Sequence, residues 1–130
     1  MNKLSKRDIG NIGEEKATVF LKKNKYKILA TNYKTKVGEV DIICENKEYI
    51  VFVEVKTRKK GSIDSGVFAV NRDKQKHIFN VADNYLKSHK SVKQPRFDII
   101  EVEFDESDNS VNIKNHYVDA FIQGGSYAVF

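Results

Sequence analysis

Residues 38–58 read GEVDIICENKEYIVFVEVKTR, and from Tyr49 the run is largely apolar until two opposite charges, Glu54 and Lys56, appear inside it. Side chains of a strand alternate between faces, so Ile50, Phe52, Glu54 and Lys56 share one face and Val51, Val53 and Val55 the other. Two apolar faces mark a central strand covered on both sides. Charges that continue such a face must be paired, hydrated or bound to an ion, because burying an unpaired carboxylate is costly or forces its protonation.

The preceding segment supplies more acid. With Asn46 and Lys47 as a two-residue loop, Glu39 faces Glu54 and Asp41 faces Phe52; with a four-residue loop, Asp41 faces Glu54 directly. Either register puts Glu39, Asp41, Glu54 and Lys56 on one face, since only a one-residue slip would invert them. Three carboxylates facing one another repel, and one lysine cannot neutralise them. A divalent cation can. Mg²⁺ is held by one or two carboxylates with waters and substrate phosphate, and a nearby lysine stabilises charge developing on an attacking water or a phosphate. The chemistry these residues suit is metal-assisted hydrolysis of a phosphate ester.

The elements that must position them follow the order αβββαββ. Ile9, Ile12, Ala17, Phe20 and Leu21 recur at helical spacing between Ser5 and Asn24, with Gly10 and Gly13 weakening the start. Glu14 shares the stripe of Ala17 and Leu21 and faces the sheet, whereas Glu15 falls on a flank with Ile12 and Val19. Gly10 and Gly13 serve either close helix–sheet packing or close approach of a nucleic-acid backbone. YKILATNY is a strand, and Val37–Cys44 pairs with Tyr49–Thr57 through the turn ENKE. After the basic loop RKKGSIDSG, a second helix is capped at Asn71, carries Asp73 in its first turn and presents Ile78, Ala82, Tyr85 and Leu86 as its apolar stripe. SHKSVKQPR, with the only proline, Pro95, reads as a connector. The strands RFDIIEVEF and VNIKNHYV follow, turned by DESDNS. The expected fold class is mixed α/β, a central sheet flanked by helices.

The segments GNIGEEKA, GEVDII, FVEVKTR, AVNRDKQKHI with YL behind it, and RFDII resemble, in order, the motifs of the YraN family of uncharacterised bacterial proteins, from Gly10 to Phe121. That family is similar in motif order to archaeal Holliday junction resolvases and belongs with the PD-(D/E)XK nuclease superfamily. The resemblance implies a single restriction-endonuclease-like domain over residues 1–130. It implies Glu14 as the helix carboxylate, Asp41 and Glu54 as ligands of Mg²⁺ or Mn²⁺, and Lys56 as the catalytic lysine. Glu39 belongs to the family's Gly-Glu-x-Asp signature, and Val40 stands where the superfamily's name advertises proline. The implied activity is metal-dependent endonucleolytic hydrolysis of phosphodiester bonds in DNA, with branched and single-stranded DNA as candidate substrates. The alternatives are a non-catalytic nucleic-acid-binding or accessory protein that keeps the fold, and an interaction module whose acids are structural. Resolvase-like relatives act as dimers, which makes a homodimer compatible with the resemblance, although no apolar patch in the sequence marks its face.

Around this centre, Arg58, Lys59 and Lys60 extend beyond the charged pair as candidate nucleic-acid contacts; a solvated basic loop is the plain alternative. Lys74 and Gln75 open the second helix, where related nucleases place a polar residue that reaches the site. Arg96 and Asp98 share a strand face and are expected to pair with each other. His77, His89 and His116 have no common spacing, which argues against a histidine metal site.

Composition sets the limits. In 130 residues, 40% hydrophobic and 32% charged, the chain is of globular rather than disordered or membrane-embedded type. No run approaches the roughly 20 apolar residues of a spanning helix. MNKLSKRDIG is basic but leads into a charged amphipathic segment, not into a secretory signal, so a cytoplasmic location is expected. The single cysteine, Cys44, has no disulfide partner. A net charge of +5 permits a polyanionic partner, but the lysines are scattered from Lys3 to Lys114 and charge alone decides nothing.

Overall fold

The computed structural model describes residues 3–62 and 72–120. Helix α1, Lys6–Lys23, starts cleanly despite its two glycines. The Ser5 hydroxyl accepts from the Asp8 amide at 3.1 Å and the Asp8 carboxylate accepts from the Ser5 amide at 3.3 Å, a capping box that satisfies amide donors at the helix start. Its last turn carries Lys22 and Lys23, which complement the helix dipole, and the chain leaves through Lys25 in a left-handed conformation.

Three antiparallel strands follow: β1 (Lys27–Thr35), β2 (Gly38–Glu45) and β3 (Tyr49–Lys59). Helix α2, described from Arg72 to His89, crosses over to β4 (Gln94–Asp105), which lies parallel to β3, and β5 (Ser110–Tyr117) returns antiparallel to β4. The five strands lie in sequence order in one mixed sheet. The expected order αβββαββ is the observed one, and the mixed α/β architecture is consistent with a restriction-endonuclease-like core. The expected cap at Asn71 lies outside the described residues.

Each helix covers one face of the sheet. Ala17 and Leu21 of α1 pack on Ile42, Cys44, Val51, Val53, Ile100 and Val102. Ile78, Val81, Ala82 and Tyr85 of α2 pack on Ile43, Ile50, Phe52, Phe97 and Ile99. The central strands β3 and β4 are therefore apolar on both faces, as the valine-rich run required. Among the described residues no helix is long and apolar enough to cross a membrane.

Two boundaries differ from expectation. β3 continues through Arg58 and Lys59 because β4 still pairs with it there, placing Arg58 beside Glu103 and Lys59 beside Phe104. Pro95 lies inside β4, not in a connector. Among the described residues the ladder to β5 begins only at Ile99, so Pro95 has no partner on that edge of β4 and its missing N–H is tolerated.

Arg96 and Asp98 pair as expected, in a buried cluster larger than the two residues. Arg96 donates Nε to Asp98 Oδ1 at 2.9 Å and a second guanidinium nitrogen to Oδ2 at 2.8 Å. His116 Nε2 lies 2.7 Å from Oδ2, the Asp119 amide donates to Oδ1 at 2.9 Å, and Arg96 also donates to the Tyr26 hydroxyl at 2.7 Å. Among the described residues every buried polar side-chain atom has a partner.

Candidate active site

The turn between β2 and β3 decides the register. The Asn46 side-chain oxygen accepts from the amides of Glu48 and Tyr49, and Glu45 pairs with Ile50, the four-residue alternative. Ile42 then pairs with Val53, so continuing the register brings Asp41 opposite Glu54. There the ladder ends. β2 stays with β1 down to Gly38 while β3 stays with β4 out to Lys59, and the two parting strands form a fork. Asp41 Oδ2 accepts the Val55 amide at 2.8 Å, replacing a ladder bond at that point.

A cleft of about 930 Å³ opens at the fork, and Glu14, Asp41, Glu54 and Lys56 all line it. Glu14 comes from α1, which sits close because Gly13 has no side chain. A Cβ there would meet Thr57 Oγ1 at 2.4 Å, so Gly13 serves helix–sheet packing. A Cβ on Gly10 would meet nothing within 4 Å, and Gly10 lines the cleft. Glu54 is only 6% exposed, and Lys74 in the first turn of α2 reaches it, Nζ to Oε1, at 2.7 Å.

Burial, with the crowding of like charge behind it, shifts the acid–base balance of the cluster. Burial, reinforced by repulsion from Glu54 and Glu14, pushes the Asp41 carboxyl up to about 7 against the stabilising Val55 amide. Burial also raises Glu14, which is hydrogen-bonded to Asp41 and repelled by Glu39 and Glu54. Burial and the adjacent Lys74 lower Lys56, while Glu54 acts the other way. Burial opposes the charge of Lys74, but its hydrogen bond to Glu54 and the attraction of Glu54 and Asp41 hold its ammonium above the ordinary value. Asp41 thus keeps its proton to near neutrality, with Glu14 as its hydrogen-bond partner, beside one lysine lowered and one raised.

The remaining candidates divide. Arg58, Lys59 and Lys74 line the cleft; Lys60 and Gln75 do not, and Gln75 is buried. Lys59 pairs with Glu106, and Lys60 lies 3.5 Å from Asp105, so the strand end is tied to the β4–β5 turn. Glu39 is exposed, lies 4.0 Å from Lys34, and borders a separate hollow of about 400 Å³ with Asp73 and His77. The acid that joins Asp41 and Glu54 at the fork is therefore Glu14, not Glu39. Among the described residues no group of three or more His, Cys, Asp or Glu is placed to hold a metal ion.

Sequence reasoning missed the far wall, made of Lys3, Leu4, Lys6 and Ile9, and the turn residues Glu106 and Asn109. Lys6, Gly10 and Glu14 are spaced by four, so the helical stripe carried the signal for Lys6. Glu106 and Asn109 depend on the parallel register of β3 and β4, for which the sequence has no local mark.

A model of the uncharacterised protein family UPF0102 matches residues 13–102, from Gly13 through the fork to β4. The chain belongs to this family. It is 42% identical to a UPF0102 protein of Caldanaerobacter subterraneus subsp. tengcongensis over 93% of this chain and 100% of the relative. Identity to a UPF0102 protein of Caldicellulosiruptor saccharolyticus is also 42%, over 89% of this chain and 93% of the other. A UPF0102 protein of Clostridium acetobutylicum is 40% identical over 88% and 93%. The UPF0102 match thus spans Glu14, Asp41, Glu54, Lys56 and Lys74, and stops before the β4–β5 turn.

Proposed function

We propose that the protein is a Mg²⁺- or Mn²⁺-dependent phosphodiesterase that cuts DNA within a strand. The observation that carries the reading is the fork, where Asp41 meets Glu54 at the end of the β2–β3 ladder and Glu14 and Lys56 line the same cleft. Two hard oxygen donors at the end of the β2–β3 ladder suit an ion that keeps waters and takes phosphate oxygens, as Mg²⁺ does. Asp41 and Glu54 would hold it. Such an ion supplies acidified water and neutralises charge on the phosphate.

The chain's own groups do the rest. Lys56, whose charge is disfavoured by burial and by Lys74, accepts a proton from the attacking water at Nζ or donates a hydrogen bond to the phosphate. Asp41 holds a proton toward Glu14 until the cluster is neutralised. Lys3, Lys6, Arg58 and Lys59 along the walls position the polynucleotide through its phosphates.

The Lys74–Glu54 pair favours one rival, a DNA-binding protein without turnover, because it neutralises Glu54 with no ion present. Cleavage of branched, flapped and single-stranded DNA with Mg²⁺ or Mn²⁺ decides between them. Asp41→Asn, Glu54→Gln and Lys56→Ala should each lose on the order of 10²-fold or more in rate. Cutting that persists in all three variants removes this site. Salt-dependent DNA binding by a wild type that never cuts selects the rival.

A further inference from the structure

Lys74 stands on the far side of the crossover from Glu54, twenty residues later in sequence, yet its Nζ makes a 2.7 Å contact with Glu54 Oε1. The carboxylate is 7% exposed and the lysine 42% exposed, so the pair is anchored at its acidic end and open at its basic end. Asp41 adds attraction for Lys74, and Lys56 is hydrogen-bonded to it while its own charge is disfavoured by Lys74. Lys74 is thus held by the acids that would hold a divalent cation, and it is the half of the pair with room to move outward. Glu54 Oε1 cannot make a short contact with an ammonium and coordinate a dication at the same time without setting two positive charges side by side.

We infer that Lys74 is a displaceable internal counter-ion. It occupies Glu54 in the cation-free protein, competes with the divalent cation for that carboxylate, and once displaced offers its ammonium to a phosphate in the cleft. The inference rests on the metal-dependent reading above. An occupied ligand is a fractionally competent site, and its apparent affinity is reduced by the fraction of time the competitor sits there.

The test is titration of the protein with Mn²⁺ alone by calorimetry, on wild type, Lys74→Met, Lys74→Gln and Lys56→Met. Both Lys74 variants should bind Mn²⁺ about 3- to 10-fold more tightly than wild type. Lys56→Met removes the same charge from the same cleft without freeing Glu54, and should gain less than about twofold. Without Mn²⁺, Lys74→Met should melt below wild type because Glu54 is left unpaired, and Mn²⁺ should raise its melting temperature more. Lys74→Gln keeps a hydrogen-bond donor for Glu54 if Lys74→Met fails to fold. Equal gains in the Lys74 and Lys56 variants, or no gain in either Lys74 variant, overturn the competition. Absence of Mn²⁺ binding in wild type and in both Lys74 variants instead overturns the metal-dependent reading itself, and the inference with it.

Discussion

Asp41 Oδ2 accepts the Val55 amide at 2.8 Å where the β2–β3 ladder has ended, so the candidate ligand is also the bond that closes the fork. An amide donor fixes the carboxylate in position while burial and its acidic neighbours disfavour its charge. That conflict makes stability depend on pH.

The Asp41 carboxyl, at about 7 in the folded chain, lies above its ordinary value of 3.8. A raised acid contributes stability that is complete below pH 3.8 and is lost as pH rises through about 7, because the folded state holds the proton more tightly. Cation-free Asp41→Asn, which keeps an oxygen for the Val55 amide, should therefore be more stable than wild type at pH 8 by on the order of a few kcal/mol, with the gap closing toward pH 4. Urea unfolding at the two pH values measures this. Mn²⁺ binding by wild type should strengthen over the same rise in pH, since a proton must leave first.

The two glycines of α1 should respond in opposite directions. Gly13→Ala sets a Cβ against Thr57 Oγ1, and the β-branched Thr57 has few rotamers with which to give way. The expected loss is about 1–3 kcal/mol, partly recovered by adding Thr57→Ala. Gly10→Ala has open space and should gain roughly 0.5–1 kcal/mol from helix propensity. Thermal melts of wild type and the three variants suffice.

Asp98 is fully buried, and burial alone would raise its carboxyl. Hydrogen bonds from His116, Arg96 and the Asp119 amide outweigh burial and hold it below the ordinary carboxylate range. Its stabilising contribution is present above the ordinary value of 3.8 and is lost as pH falls through the depressed one. Asp98→Ala strands the buried Arg96 guanidinium and should cost about 3–5 kcal/mol at pH 7. The cost relative to wild type should shrink in acid, which denaturation from pH 7 to pH 3 can follow.

Lys59 is held by Glu106 on the exposed rim of the cleft. Glu106→Gln should leave stability nearly unchanged, as exposed pairs contribute little, yet strengthen DNA binding by freeing a cation. Lys59→Ala should weaken binding and shallow the salt dependence by about one phosphate contact. Fluorescence anisotropy across a salt series reads both.

Much of the site was legible because it lies in local patterns. The period of two on Ile50–Lys56 and the period near four through Glu14, Ala17 and Leu21 each set a face without knowledge of the fold. The turn ENKE left two registers open, since the choice rests on the Asn46 side chain bonding two amides. Glu39 was placed with Asp41 by strict alternation, but alternation assumes an intact ladder. β2 breaks its alternation beside Asp41, since Val40 and Ile43, three residues apart, both pack on the α2 face, and Glu39 lies outside the cleft. Pro95, Glu106 and Asn109 could be placed only once β3 and β4 were known to run parallel over eleven residues, a pairing between segments about forty-five residues apart.

Among the described residues, the side of β3 that faced β2 has no ladder partner from Val55 outward. An unpaired strand edge invites another chain to add itself and seed aggregation, and proteins commonly refuse it with charge. Asp41 occupies the first amide of this edge and Glu14 stands beside it. The carboxylates that suit the cleft for chemistry therefore also make the edge inhospitable to a foreign strand, so neutralising both removes a safeguard against misassembly as well as a candidate site.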